Sequence, residues 1–183
     1  MRSVVFSTLL FASLGAAAQH QHAMQESTPY AGLQGRDIKS LSPAQIDDLL
    51  SGRGMGLSLL AELNNEPGPM HVLQMKEALQ LTDDQTEQLH RIVAAMHADA
   101  AQLGREIVEA ERRFDLGFRR HSIDPSAVDA ESEAIGLLNG KLRAVHLKAH
   151  LLTAGLLRPE QIVKYQSARG YTSRSGGGEE HGQ

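Results

Sequence analysis

The sequence predicts an all-α protein built on an extended helical hairpin with short flanking helices, and three observations predict it. A leucine, a polar residue, two spacers and a glutamine recur at Leu41–Gln45, Leu81–Gln85 and Leu157–Gln161, each time where an apolar helical stretch begins. Two long segments place apolar residues at spacings of three and four, the period of a helix face. Between them lies Ser122-Ile123-Asp124-Pro125, where proline disfavours helical geometry in the residue before it. No βαβ alternation, phosphate-binding glycine motif or nucleophile–base constellation accompanies these signals.

Taken in order, the chain opens with Arg2, an apolar run from Val4 to Leu14, and Ala16-Ala17-Ala18. This is the pattern of a cleaved export signal over residues 1–18, because the run falls short of the ~20 residues that span a bilayer. Residues 19–35 are polar and aperiodic, carry His20 and His22, and read as a flexible arm. A helical domain is expected over residues 36–170. Within it, Pro43 to Leu50 forms a first short helix, Met55 to Leu63 a second, and Met70 to Leu79 a third. Ser42 with Gln45, and Thr82 with Gln85, have the spacing of capping boxes: the hydroxyl accepts from the glutamine N–H, and the glutamine side chain returns to the N–H of the cap. In the third copy Arg158 holds the cap position, where it has no acceptor to offer.

From Asp83, the residues Leu89, Ile92, Met96, Ala100, Leu103, Ile107, Ala110 and Phe114 form a narrow seam. After Pro125 a second seam runs through Val128, Ile135, Leu138, Leu142, Val145, Ala149, Leu152 and Leu156. Narrow seams suit coiled-coil-like packing of two antiparallel helices, with burial against a second subunit to cover what remains. Pro159 begins a last short helix, and residues 171–183, with Gly176-Gly177-Gly178, read as a disordered tail.

Composition limits the function. The net charge is −4, and one unit more negative once Arg2 leaves with the leader, so nucleic acid is excluded as a partner. There is no cysteine, which removes disulfides and thiolate metal sites and leaves His, Met and carboxylates as ligands. Beyond the leader no stretch is long enough to cross a membrane.

The capped repeats bracketing a long hairpin in an exported chain resemble the LTxxQ motifs of the periplasmic CpxP/Spy family, whose relatives include ZraP-type zinc-binding proteins and CnrX-type metal sensors. The resemblance covers roughly Leu81 to Arg169. It implies a homodimeric cradle, an ATP-independent chaperone activity toward unfolded periplasmic proteins, or a role in metal sensing beside an envelope partner, with no catalysis.

Nine histidines and six methionines carry the chemistry. His146 and His150 lie one helical turn apart, a spacing that lets two imidazoles share an ion; Leu147 stands where a zinc protease motif has glutamate. With the turn centred between His121 and Pro125, His97 comes level with His150 on the facing helix. His97, His146 and His150 are thus the leading candidates for Zn, Cu or Ni, with folding independent of the ion. Met96 and Glu106 lie nearby, and His90 flanks the same seam. A softer pair is His71 with Met75. The competing reading is that these are helix-border histidines and core methionines. At the hairpin tip Arg112, Arg113, Arg119 and Arg120 crowd Phe114 and Phe118, a mixed basic and apolar surface on which the family resemblance would place unfolded clients; internal pairing with Glu109 and Glu111 is the alternative. Two functions compete, a metal-linked stress chaperone and a heavy-metal sensor or buffer.

Overall fold

The computed structural model describes residues 28–171. The expected leader, His20 and His22 of the arm, and the tail beyond Tyr171 lie outside them. After a 3-10 turn at Leu33–Gly35 come seven helices: α1 (Pro43–Leu50), α2 (Leu59–Glu62), α3 (Pro69–Gln74), α4 (Lys76–Leu79), α5 (Asp83–Arg119), α6 (Pro125–Leu156) and α7 (Pro159–Arg169). Among the described residues there is no strand, and no helix is long and apolar enough to cross a membrane.

The hairpin is α5 and α6, of 37 and 32 residues. Its ends are set locally. Thr82 Oγ1 accepts from the Gln85 N–H and Gln85 Oε1 from the Thr82 N–H, both at 3.1 Å. Asp124 Oδ1 accepts from the Ala127 N–H at 2.8 Å and starts α6. In the third repeat only the return half of the box forms, with Gln161 Oε1 accepting from the Arg158 N–H at 2.9 Å.

The glutamines of the second and third repeats do more than cap. Gln85 Nε2 donates to Gln161 Oε1 (2.9 Å) and to the Leu156 carbonyl (2.8 Å), while Gln161 Nε2 donates to Gln85 Oε1 (3.2 Å) and to the Leu79 carbonyl (3.1 Å). This buried reciprocal pair ties the start of α5 to the junction of α6 and α7, and it satisfies carbonyls that helix ends leave open.

Two apolar clusters flank the middle of the hairpin. Toward the tip, Ile38 and Leu49 pack on Ala100, Ile107, Val108 and Leu142. Here α1 crosses α5 so closely that a Cβ on Gly104 would stand 1.9 Å from the Leu49 carbonyl oxygen. The strap before α1 is also pinned by polar contacts, since Asp115 accepts from the Lys39 N–H at 3.1 Å and Glu111 from Ser40 Oγ at 2.7 Å. Toward the open end, Val72, Leu79, Leu81, Leu89, Leu157 and Tyr165 form the second cluster.

Three expectations need correction. The helix expected over Met55 to Leu63 shortens to α2, because Met55 and Gly56 adopt positive φ and hold residues 55–58 in turns. The helix expected over Met70 to Leu79 breaks at Met75 (φ −103°, ψ 18°), whose side chain turns into the second cluster. On α6 the buried stripe is Leu142, His146, Ala149, His150 and Thr153, whereas Leu152 is 59% exposed. The segment carrying α2 and α3 packs on this part of the hairpin and rotates the buried face toward the histidines.

Candidate metal centre

Between the two clusters lies an open cavity of about 510 Å³ whose lining includes His71, His97, His146, His150, Met70 and Met96. Each element supplies what its register dictates. His146 and His150 project from one face of α6, Met96 and His97 come from α5, and Met70 and His71 from the first turn of α3, which Pro69 starts. The segment from Ser51 to Gly68 forms the remaining wall.

The histidines are positioned, not merely collected. His150 Nδ1 lies 2.7 Å from the Glu66 carbonyl; since a carbonyl only accepts, Nδ1 is the donor, and Nε2 is the nitrogen a neutral ring would offer to an ion. Such an orienting bond is the usual second partner of a metal-binding imidazole. Gly68 lies flat against that ring, and a Cβ there would stand 3.0 Å from Nε2. His146 is 3% exposed, and its Nε2 is buried with no hydrogen-bond partner. Its pKa is lowered by burial first and then by the neighbouring His150 and His97. That of His71 is lowered by burial and by Arg169, against an opposing pull from Glu62. Neutral imidazoles with unfilled lone pairs are the form a cation binds.

These shifts fix a pH dependence. A histidine whose folded-state pKa lies below its ordinary value of 6.5 resists a proton that the unfolded chain accepts. Its stabilising contribution is complete above that value and is lost as the pH falls below it. The urea midpoint of metal-free protein is therefore expected to fall between about pH 7.5 and about pH 5, and to fall less in His146→Ala.

One participant escapes the sequence reading. Glu62 is 6% exposed, with Oε2 3.6 Å from His150 Nδ1 and Oε1 3.8 Å from His71 Nδ1. Gly68 N–H donates to Oε2 at 3.1 Å, and the Tyr165 hydroxyl donates to Oε1. The available signal is a lone charge inside the apolar run Leu59-Leu60-Ala61-Glu62-Leu63; buried charges are rare without a partner.

Other candidates lie elsewhere. Met75 belongs to the second apolar cluster, His90 is exposed on α5, and Glu106 borders a separate recess with Arg113 and Leu138. At the tip, Arg112 pairs with Glu109 and Asp37, Arg113 with Glu131 at 4.0 Å, and Arg119 with Asp115 at 2.8 Å. Arg120 is exposed, and Phe118, 53% exposed, lies against Phe114 with ring centroids 5.2 Å apart. Three of the four expected client-binding arginines thus have internal partners.

Among the described residues no group of three or more His, Asp or Glu side chains is arranged to hold a metal ion as it stands. The donor chemistry nevertheless fits one, because His146 Nε2 is a buried orphan and Gly68, lacking a Cβ, does not crowd His150 Nε2. By fold and lining this is a small helical protein with a cavity of imidazoles and thioethers, ligands suited to late transition metals. The chain belongs to the heavy-metal resistance family, which it matches over residues 56–164, a span that contains every histidine and methionine of the cavity. No curated protein and no solved structure matches it.

Proposed function

We propose that the protein is a non-catalytic heavy-metal sensor or buffer that binds Zn, Cu or Ni through His97, His146, His150 and His71, with Met70 and Met96 at the rim for softer ions. The observation that carries this reading is the convergence of four imidazoles from three helices in one cavity, with a partnerless buried nitrogen among them. Membership of a heavy-metal resistance family supports it. The export signal read in residues 1–18 supports a periplasmic site of action, and the family resemblance an envelope partner there. A homodimer accords with Leu59, Leu60 and Leu63, each 57% exposed on and beside α2. Titration calorimetry of the mature, tag-free protein with Zn(II) is expected to give about one ion per chain.

A chaperone role draws support from exposed Phe118 and Arg120 at the tip and from the capped repeats. It is the weaker reading, because Arg112, Arg113 and Arg119 are engaged by acids of the same chain. The two roles separate in one assay: suppression of client aggregation that survives loss of the histidines belongs to the tip, not to the cavity.

A further inference from the structure

We propose that Tyr165 is a latch that reports occupancy of the histidine cavity to α7: its hydroxyl holds Glu62 and borders His71, and this contact opens when the two side chains serve an ion. The proposal rests on the cavity being a metal site and adds how its occupancy is regulated and read out.

Glu62 is the buried carboxylate beside the cavity, within 3.6 Å of His150 and 3.8 Å of His71. Its Oε1 is already engaged. The Tyr165 hydroxyl donates to it and at the same time lies 3.4 Å from His71 Nδ1, so the phenol occupies the space between these two ligand-type groups. Tyr165 itself is fully buried. Arg169, one turn further along α7, brings Nε to 3.8 Å from the same Oε1. Burial, then the bond to Glu62, pushes the Tyr165 hydroxyl above its ordinary pKa, which keeps it a protonated donor.

Tyr165 and Arg169 of α7 thus converge on one oxygen of Glu62, with the Tyr165 hydroxyl also beside His71 Nδ1. An oxygen drawn to a cation is a poorer partner for a phenol and a guanidinium, and hydrogen bonds to a charged carboxylate are the strong ones. Binding at the cavity and docking of this face of α7 then oppose each other, and the opposition is reciprocal. The Gln161 pair and the apolar cluster, to which the Tyr165 ring and Tyr171 belong, still hold α7, so the expected effect is a loosening of its second half, where the polar contacts of Tyr165 and Arg169 are lost, and not detachment of the helix.

The test uses the mature chain, Zn(II) as the probe, and amide hydrogen exchange over α7 as a readout separate from affinity. In the parent, Zn(II) is expected to speed exchange severalfold in the second half of α7. Tyr165→Phe is expected to bind Zn(II) about tenfold more tightly, with α7 exchange already raised and no longer responsive. Glu62→Gln keeps an acceptor for Tyr165 but loses the charge, so it is expected to bind less tightly and leave α7 unresponsive. Zn(II) binding that leaves α7 exchange unchanged in the parent overturns the latch, as does unchanged or weaker binding by Tyr165→Phe. Should Tyr165→Phe fail to fold, the parent and Glu62→Gln decide between the same outcomes. A parent that binds no Zn(II) overturns the metal site itself, and the latch with it.

Discussion

Replacing Gly104 by alanine is expected to destabilise the protein by about 2–3 kcal/mol, in the range of overpacked core sites. Gly104 sits in the interior of α5, where helix propensity alone favours alanine by about 1 kcal/mol. Packing has the opposite sign and is larger. The new Cβ would lie 1.9 Å from the Leu49 carbonyl oxygen and within 3.1 Å of the Leu49 Cα. Those are backbone atoms of α1, so no side-chain rotation relieves the contact. The last turn of α1 must retreat from α5, and Leu49 with it leaves the cluster formed with Ala100, Ile107 and Leu142. A lower urea midpoint at unchanged slope is the expected result. A raised midpoint, the outcome propensity alone predicts, would mean that α1 does not cross α5 at this position.

The second large effect is expected at Gln161. Gln161→Ala removes the partner of Gln85, opens a cavity at a position only 2% exposed, and leaves the Leu79 carbonyl and the Arg158 N–H without their partners. Unsatisfied buried groups cost about 1–3 kcal/mol each, and the Arg158 end is half-open to water, so the expected loss is about 3 kcal/mol. A surface capping residue would cost about 1 kcal/mol. The size of the change in chemical denaturation therefore distinguishes a buried clasp from an ordinary helix cap.

That distinction also marks what the sequence made legible. The hairpin, its turn and the starts of α1, α5 and α7 follow from signals contained within a few residues: the apolar period, Pro125, and the capping spacings. The clasp between Gln85 and Gln161 does not, because it joins residues 76 positions apart, and each glutamine alone has a complete local explanation as a cap. The histidines show the same limit. Helix period and hairpin register put His97 level with His150 but do not fix whether the histidine flanks of the two helices share a side, and the same reasoning leaves all three at the border of the apolar seam. His146 and His150 are buried because the chain between α1 and α4 folds over that part of the hairpin, while His97 stays exposed at the cavity rim. Short helices interrupted at Met55 and Met75 give too weak a period to show where they cross. The same crossing supplies Glu62, His71 and Met70, and it explains why the softer pair separates, with His71 facing the cavity and Met75 the core.

The central claim is that the α6 histidines bind a metal ion together with the imidazoles of α3 and α5. It is tested most directly by calorimetric titration of Zn(II) into the mature, tag-free protein and into the double variant His146→Ala/His150→Ala, with helical content monitored by circular dichroism. The parent is expected to bind about one ion per chain, and the folded double variant to bind none at that site, because His71 and His97 alone leave too few fixed ligands. An absence of binding by the parent, or equal binding by the folded double variant, would contradict the account.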